Sequence, residues 1–350
     1  MTGDQPGAQN GGTAARILAI ATHLPDQVLS NEALAELYPA WPAAKILDKT
    51  GIRERRIAAD RETATDLAEA AANKLFDSKV IARDDVDFVI LCSQAPDYIL
   101  PTSACILQHR LGLRTGVGAL DINLGCSGFV YGLSLASGLI ASGAASNILL
   151  LTADTYSKFI HPLDKSVRTL FGDGAAATLV QAAMPGHTAR IGPFVFGTDG
   201  SGAGDLIVEA GGQRVPRTAD TAREEPDGAG NVRSRDHLYM NGAAVMNFTL
   251  REVPRTIDAL VQKAGIALDE YDAVILHQAN KFMLDALQRK LRLSEAKFPR
   301  FFTDVGNTVS STIPFVLEQE INAGRCSQGS RTMIVGFGVG LSWAAASIVF

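Results

Sequence analysis

The constraint that bears hardest on how this chain can fold is internal repetition. Residues 86–91 read VDFVIL and residues 271–276 read YDAVIL, an offset of 185. The match continues upstream at that offset, Ile81-Ala82 with Ile266-Ala267 and Asp84 with Asp269. Each copy predicts an amphipathic helix (65–78; 247–264), an acidic turn and a short apolar strand, the first strand ending at Cys92 and the second at His277. A second correspondence, offset by 181, sets NLGCSG at 123–128 against DVGNTV at 304–309, pairing Gly125 with Gly306 and Cys126 with Asn307. Helical stretches follow both, close on Gly143 and Gly324, and lead into the apolar runs NILLLTA (147–153) and TMIVGFG (332–338). Any two βαβ units look alike, but a repeated order with matched positions points to two fused α/β halves, 16–184 and 185–350. Apolar β-runs alternating with helices predict largely parallel sheets buried between helical layers.

The length, 350 residues, suits two ordinary domains or one large α/β unit, and a 47% apolar share supports a sizeable core. A net charge of −5 argues against a nucleic-acid groove, and RERR at 53–56 reads as a solvated surface turn. The apolar stretch 131–153 is punctuated by Gly, Ser and Ser146-Asn147, so it reads as a buried helix followed by a buried strand, not a membrane insertion. Residues 1–15 are polar and Gly-rich and read as a disordered tail. No secretory signal is visible, which predicts a cytoplasmic protein with reduced thiols. The charged, Gly- and Pro-rich stretch 209–236 reads as a mobile excursion or a lid over a pocket.

Within DINLGCSGFVYG (121–132), Cys126 could be inert packing, half of a disulfide, a metal ligand or a nucleophile. The four cysteines, Cys92, Cys105, Cys126 and Cys326, follow no zinc spacing, and no HxxH or HExxH pair occurs, so metal binding has little support. If the halves pack about a pseudo-twofold axis, Cys126 and Asn307 sit at matching helix N-termini with His277 at a strand end nearby. A helix N-terminus favours a thiolate and lowers a cysteine pKa, so this context favours the nucleophile. Taken singly, His277 would be a satisfied core residue and Asn307 a helix cap. The loop GFGVG (336–340) lacks the GxGxxG spacing of a dinucleotide site, and its glycines instead let backbone N–H groups approach an oxyanion.

Together GCSGF, FGDGAAATLV (171–180), HQAN (277–280), GNT (306–308), TGIRERRIA (50–58) and the closing GFGVGLSWAAASIVF resemble the 3-oxoacyl-[acyl carrier protein] synthase III family over residues 16–350. The resemblance implies a thiolase fold, five α/β/α/β/α layers built from two similar halves, and a homodimer. It implies an acyltransferase in which Cys126 takes an acyl group from acyl-coenzyme A. His277 and Asn307 then stabilise the enolate left when malonyl-acyl carrier protein loses carbon dioxide, and condensation gives a 3-oxoacyl thioester that starts a fatty acid. Coenzyme A enters as a thioester substrate and no cofactor or metal is implied. Backbone N–H groups of Cys126 and of Val339 or Gly340 would hold the oxyanion, with Phe337 beside the thiol.

The sequence departs from the family pattern at the substrate-binding positions. Lys45 stands where many members have a Trp, and Lys165 stands where an Arg would sandwich the adenine. Losing such a stack removes about 1–3 kcal/mol, although two lysines could contact phosphates and Trp41 lies close by. Arg53 and Asn280 belong to the motifs that carry the resemblance. The carrier-docking charge after HQAN has shifted by one position, to Lys281, followed by Phe282. Leu124, Ser127 and the run NTVSST (307–312) are expected to alter the pocket wall. Leu100 resembles a residue that closes the partner's acyl pocket, and as a leucine it leaves room for a longer or branched primer. These departures keep open a specialised paralogue that condenses or transfers an acyl group for a secondary metabolite or surface polysaccharide. A thiolase would need a second cysteine in the glycine loop, a papain-like hydrolase would not be duplicated, and a carrier-binding module would leave the three polar residues unexplained.

Overall fold

The computed structural model describes residues 13–350; the tail expected at the N-terminus lies outside them over residues 1–12. Ala15, assigned to that tail, is instead buried at the start of the strand Ala15–His23.

The repetition seen in the sequence is repeated in hydrogen bonding. One five-stranded sheet runs in the order Ala15–His23, Gly174–Ala182, Asn147–Asp154, Phe88–Cys92, Gly118–Ile122. A four-stranded sheet runs Arg190–Thr198, Ser342–Val349, Arg331–Gly338, Ala273–Leu276. Read in these directions, the two sheets share the same sequence of antiparallel, antiparallel and parallel pairings. The sheets are therefore mixed, not largely parallel. For one pair the reason is local: only three residues separate Gly338 from Ser342, and so short a connection joins antiparallel neighbours, whereas a parallel pair needs a crossover.

Each central strand is buried on both faces, which is why these runs are apolar without interruption. Alternate residues serve different layers. Ile90, Ile148, Leu150, Ile275 and Ile334 face a middle core with Phe129, Leu133, Ile140, Ile313, Val316 and Leu317 from the helices Gly128–Ala141 and Thr312–Asn322. Val89, Leu91, Leu149 and Leu151 face outward onto Leu67, Ala71 and Leu75 of the helix Ala64–Asp77. Val274, Leu276, Met333 and Val335 face outward onto Val253, Ile257 and Leu260 of the helix Gly242–Ala264. Five layers result, with the helix pair between the sheets supplied by both halves of the chain.

Caps set the outer helices. Thr63 and Asp66 form a reciprocal capping box, the Asp66 carboxylate accepting from the Thr63 N–H at 2.7 Å. Asn241 caps the helix Gly242–Ala264, which begins five residues before the expected start and closes on Gly265 in the left-handed conformation. The stretch 131–153 divides as anticipated into a buried helix and a buried strand. Among the described residues no helix is long and apolar enough to cross a membrane.

RERR is not a surface turn. Glu54–Ile57 is a strand, and Arg55 is wholly buried, donating to Thr169 O at 2.9 Å and to Asn31 Oδ1. Burial pulls its guanidinium down to about 10. A single buried arginine within a charged run leaves no periodic signal in sequence, because its partners are backbone carbonyls and an asparagine far away in the chain.

Candidate active site

Cys126 occupies the turn between the strand Gly118–Ile122 and the helix Gly128–Ala141. The turn is packed so closely that side chains are excluded on both sides. A Cβ on Gly128 would lie 2.2 Å from Cys92 Sγ, and one on Gly125 would lie 2.6 Å from Gln94 Oε1. Across the turn, a Cβ on Gly338 would lie 2.9 Å from Cys126 Sγ. Gly338 therefore leaves room for the thiol, and neighbouring Val339 packs its side chain toward Gly125.

The thiol does not show the lowered pKa expected from its place before a helix. Burial is the dominant influence and pushes it up, with the nearby Asp154 carboxylate adding to the effect. Burial removes water from the anion and so disfavours the thiolate. Asp154 is itself buried and raised to about 7, chiefly by burial, although it accepts from the Ser310 hydroxyl at 2.5 Å and the Gln94 N–H at 2.9 Å.

His277 directly follows the strand Ala273–Leu276, and its N–H donates to Val335 O at 2.9 Å. Its ring meets Phe337 edge-on with centroids 5.5 Å apart, and Nδ1 lies 2.7 Å from Thr312 Oγ1. Burial drives its pKa down to about 3, so at neutral pH it is an uncharged imidazole.

Asn307 is held through its backbone, donating to Leu170 O at 2.9 Å and accepting from Gly172 N–H at 3.0 Å. Its Oδ1 accepts from the Val309 N–H at 2.9 Å, which turns Nδ2 toward His277 Nε2, 3.5 Å away. Val309 reaches this position with φ of 55°, a left-handed conformation rarely adopted by a β-branched residue. Such strain persists only where the surroundings fix it, and Val309 is fully buried.

These three residues meet in one cavity of about 700 Å³, lined also by Phe171, Phe337 and Gly338. Asn280 and Phe282, the latter 64% exposed, also line it and mark its mouth. Asn280 also caps the helix Lys281–Leu291 by accepting from Met283 N–H at 3.0 Å. A neutral thiol, a neutral imidazole and a carboxamide thus face a largely apolar chamber, an arrangement suited to acyl transfer followed by stabilisation of an oxyanion.

Other residues singled out from sequence lie farther out. Lys45 sits over the Trp41 ring, 4.9 Å from its centroid. Lys165 donates to Ala229 O at 2.6 Å and Asn231 Oδ1 at 3.0 Å. Arg53 pairs with Asp304 at 2.7 Å, and Lys281 pairs with Asp285 at 2.6 Å. Leu100 is 79% exposed beside Tyr98 and Ile99, and Gly340 packs against Ser342.

Two expectations about the pocket are corrected. Ser127 is buried against Ser342, the hydroxyls 2.6 Å apart, and neither it nor Leu124 lines the Cys126 cavity. In NTVSST, Ser310 binds Asp154, and Ser311 lies 2.9 Å from the Thr152 hydroxyl, so these residues brace the site from behind. The stretch 209–236 does not line the Cys126 cavity, and Gln213 and Arg217 line a neighbouring groove with Tyr156 and Val339. Arg233 ties the stretch to Asp164 at 2.8 Å, and Arg235 pairs with Glu209 at 2.6 Å within the stretch itself. Asp154 is absent from the sequence expectations, and Thr312 and Gly338 enter them only as members of NTVSST and GFGVG, without the contacts described here; a buried acid at the end of an apolar strand was the available signal for Asp154.

The five layers and the Cys–His–Asn cavity define an acyl-transferring enzyme of the thiolase fold. Comparison with known proteins narrows the class. A model of 3-oxoacyl-[acyl-carrier-protein (ACP)] synthase III matches residues 120–200, and that of its C-terminal portion matches residues 261–350. The beta-ketoacyl-[acyl-carrier-protein] synthase III of Chlamydia caviae is 34% identical over 334 residues, covering 95% of each chain. A crystal structure described as 3-oxoacyl-(acyl-carrier-protein) synthase III is 63% identical with a TM-score of 0.94, covering 96% of this chain and all of that one. The 3-oxoacyl-(acyl-carrier protein) synthase of Burkholderia xenovorans LB400 is 36% identical with a TM-score of 0.88, covering 97% and 94%. The chain belongs to the 3-oxoacyl-[acyl-carrier-protein] synthase III family. It is an acyltransferase of the ketoacyl-synthase type, whose Claisen condensation initiates fatty acid synthesis.

Proposed function

We propose that Cys126 is the acyl-carrying nucleophile, that acyl-coenzyme A supplies the primer and that malonyl-acyl carrier protein is the extender. The observation that carries this reading is the convergence of Cys126, His277 and Asn307 on one largely apolar cavity with an exposed mouth. Cys126 begins as a thiol. Its sulfur attacks the thioester carbonyl, the carbon–sulfur bond to coenzyme A breaks, and the thiol proton ends on the departing sulfur. The N-terminus of the helix Gly128–Ala141 and the backbone N–H groups of Cys126 and the 336–340 loop, Val339 foremost, support charge as it develops.

The malonyl thioester then occupies the vacated cavity. As carbon dioxide leaves, its bonding electrons move onto the thioester oxygen, where His277 Nε2–H and Asn307 Nδ2–H donate to the enolate. The enolate carbon attacks the acyl carbonyl, a carbon–carbon bond forms, and Cys126 leaves as a thiolate that takes a proton from solvent. An uncharged imidazole suits this role, because a donor in a dry cavity stabilises developing negative charge without itself being a desolvated cation. Each step uses a thiol, an imidazole, an amide and backbone N–H groups, with no need of a metal or organic cofactor.

The same reading makes the protein a homodimer, with Leu100 reaching toward the partner's acyl pocket, and places it in the cytoplasm, in keeping with four free cysteines. Lys45, Arg53, Lys165, Asn280 and Lys281 serve as binding residues for coenzyme A or the carrier protein; the ion pairs of Arg53 and Lys281 would have to reorganise for direct phosphate or carrier contact. The test is condensation assayed with acyl-coenzyme A and malonyl-carrier protein. His277→Ala and Asn307→Ala should each lower carbon dioxide release by about 100-fold or more. Release at the wild-type rate in both variants would overturn the assignment.

A further inference from the structure

Thr312 is fully buried at the first position of the helix Thr312–Asn322 and does not line the cavity, yet its hydroxyl is the partner of His277 Nδ1. Which ring nitrogen carries the proton is set by the bond the other one makes. Thr312 Oγ1 lies 2.7 Å from Nδ1 and 3.2 Å from Val309 O, and its single proton serves one of them. Hydroxyl donors prefer about 2.7–2.8 Å and ring N–H donors about 2.9–3.0 Å, so the shorter contact fits the hydroxyl donating to Nδ1. Nδ1 then accepts, and Nε2 carries the hydrogen.

The other side of the ring agrees. Asn307 Oδ1 is occupied by the Val309 N–H, so Nδ2 is the group facing Nε2. At 3.5 Å the pair is too far apart for a good N–H···N bond. The spacing instead suits two donors aimed at a shared third atom.

We propose that Thr312 is a positioning residue that fixes His277 as the Nε2–H tautomer, preparing a paired donor site for the thioester oxygen before substrate enters. The inference rests on the functional reading above for its catalytic consequence, although the tautomer itself does not depend on it. Thr312→Ala removes the donor to Nδ1, and His277 then distributes between tautomers. The kcat for decarboxylative condensation should fall about 10–100-fold, with KM for the malonyl thioester changed less than about threefold. Thr312→Ser, which restores the hydroxyl, should recover most of the rate.

The direct readout is the ¹⁵N spectrum of histidine-labelled protein, with the His277 signals assigned by their loss in His277→Gln. In the wild type and Thr312→Ser, Nδ1 should show a pyridine-type resonance and Nε2 a pyrrole-type one. In Thr312→Ala the two should move toward intermediate values. A wild-type spectrum with a pyrrole-type Nδ1, or wild-type kcat in Thr312→Ala, overturns the proposal. The wild-type spectrum requires no variant at Thr312, so a misfolded Thr312→Ala leaves a decisive arm. If wild-type protein fails to condense substrates while the spectrum shows the Nε2–H form, the functional reading has failed and the tautomer assignment has not.

Discussion

At the scale of single residues the site is governed by desolvation. Cys126 and His277 are both buried, and burial moves each toward its uncharged form, the thiol upward and the imidazole down to about 3. The resting pair is therefore neutral, not a thiolate–imidazolium couple. This has a consequence for stability. Unfolded His277 binds a proton below its ordinary value of 6.5, whereas folded His277 resists until about 3. Falling pH therefore favours the unfolded chain throughout that window, and the stability associated with this residue is lost as acidity increases. Replacing it with an uncharged side chain removes the penalty. Urea unfolding of wild type and His277→Gln at pH 7 and pH 4.5 should show the wild type losing relative stability by up to about 1.4 kcal/mol per pH unit below 6.5. Equal pH dependence in the two proteins would mean that His277 is not held neutral by burial.

At the scale of elements, the site depends on how closely a glycine turn packs against a neighbouring strand. The Gly128 Cα faces Cys92 Sγ in the adjacent strand, and a Cβ placed there would overlap the sulfur at 2.2 Å. Gly128→Ala should therefore destabilise the protein by about 1–3 kcal/mol and shift Cys126. Because that sulfur is the one heavy atom nearer than 3.0 Å, with Leu124 Cβ next at 3.1 Å, Cys92→Ala in the same chain should restore most of the lost stability, measured by thermal unfolding. A double variant no more stable than Gly128→Ala would show that the strain arises elsewhere. The sequence announced this turn and its partner, since Gly125–Cys126 and Gly306–Asn307 correspond in the two copies. It did not announce the supports. Thr312, Ser310 and Asp154 act through hydrogen bonds between elements distant in the chain, and pairings of that kind leave no periodicity. Arg55 was misread for the same reason. Its run was judged by charge, although its carbonyl partner at Thr169 lies 114 positions away. The mixed sheets were misread because apolar content reports burial on both faces and carries no information about strand direction.

At the scale of the whole molecule, the duplicated sheets place the Cys126 turn of one half against His277 and Asn307 of the other, and the middle helix pair makes the two halves one core. One surface feature bears on the proposed dimer. Tyr98, Ile99 and Leu100 are 61%, 90% and 79% exposed in succession, and a contiguous apolar patch of this kind marks an interaction surface. Gly118–Ile122 also forms an edge of the larger sheet, partly buried along its whole length. Sedimentation should show twice the chain mass, and Ile99→Asp should weaken the dimer at least tenfold, about 1.4 kcal/mol. A wild-type monomer at micromolar concentration would contradict the dimeric reading. Whether Cys126 carries the acyl group is read out by intact-protein mass spectrometry after incubation with a panel of acyl-coenzyme A thioesters. A single added acyl mass is expected on the wild type, absent from Cys126→Ala and discharged by malonyl-carrier protein. An adduct that persists in Cys126→Ala, or a wild-type protein left unmodified by every thioester, would contradict that role.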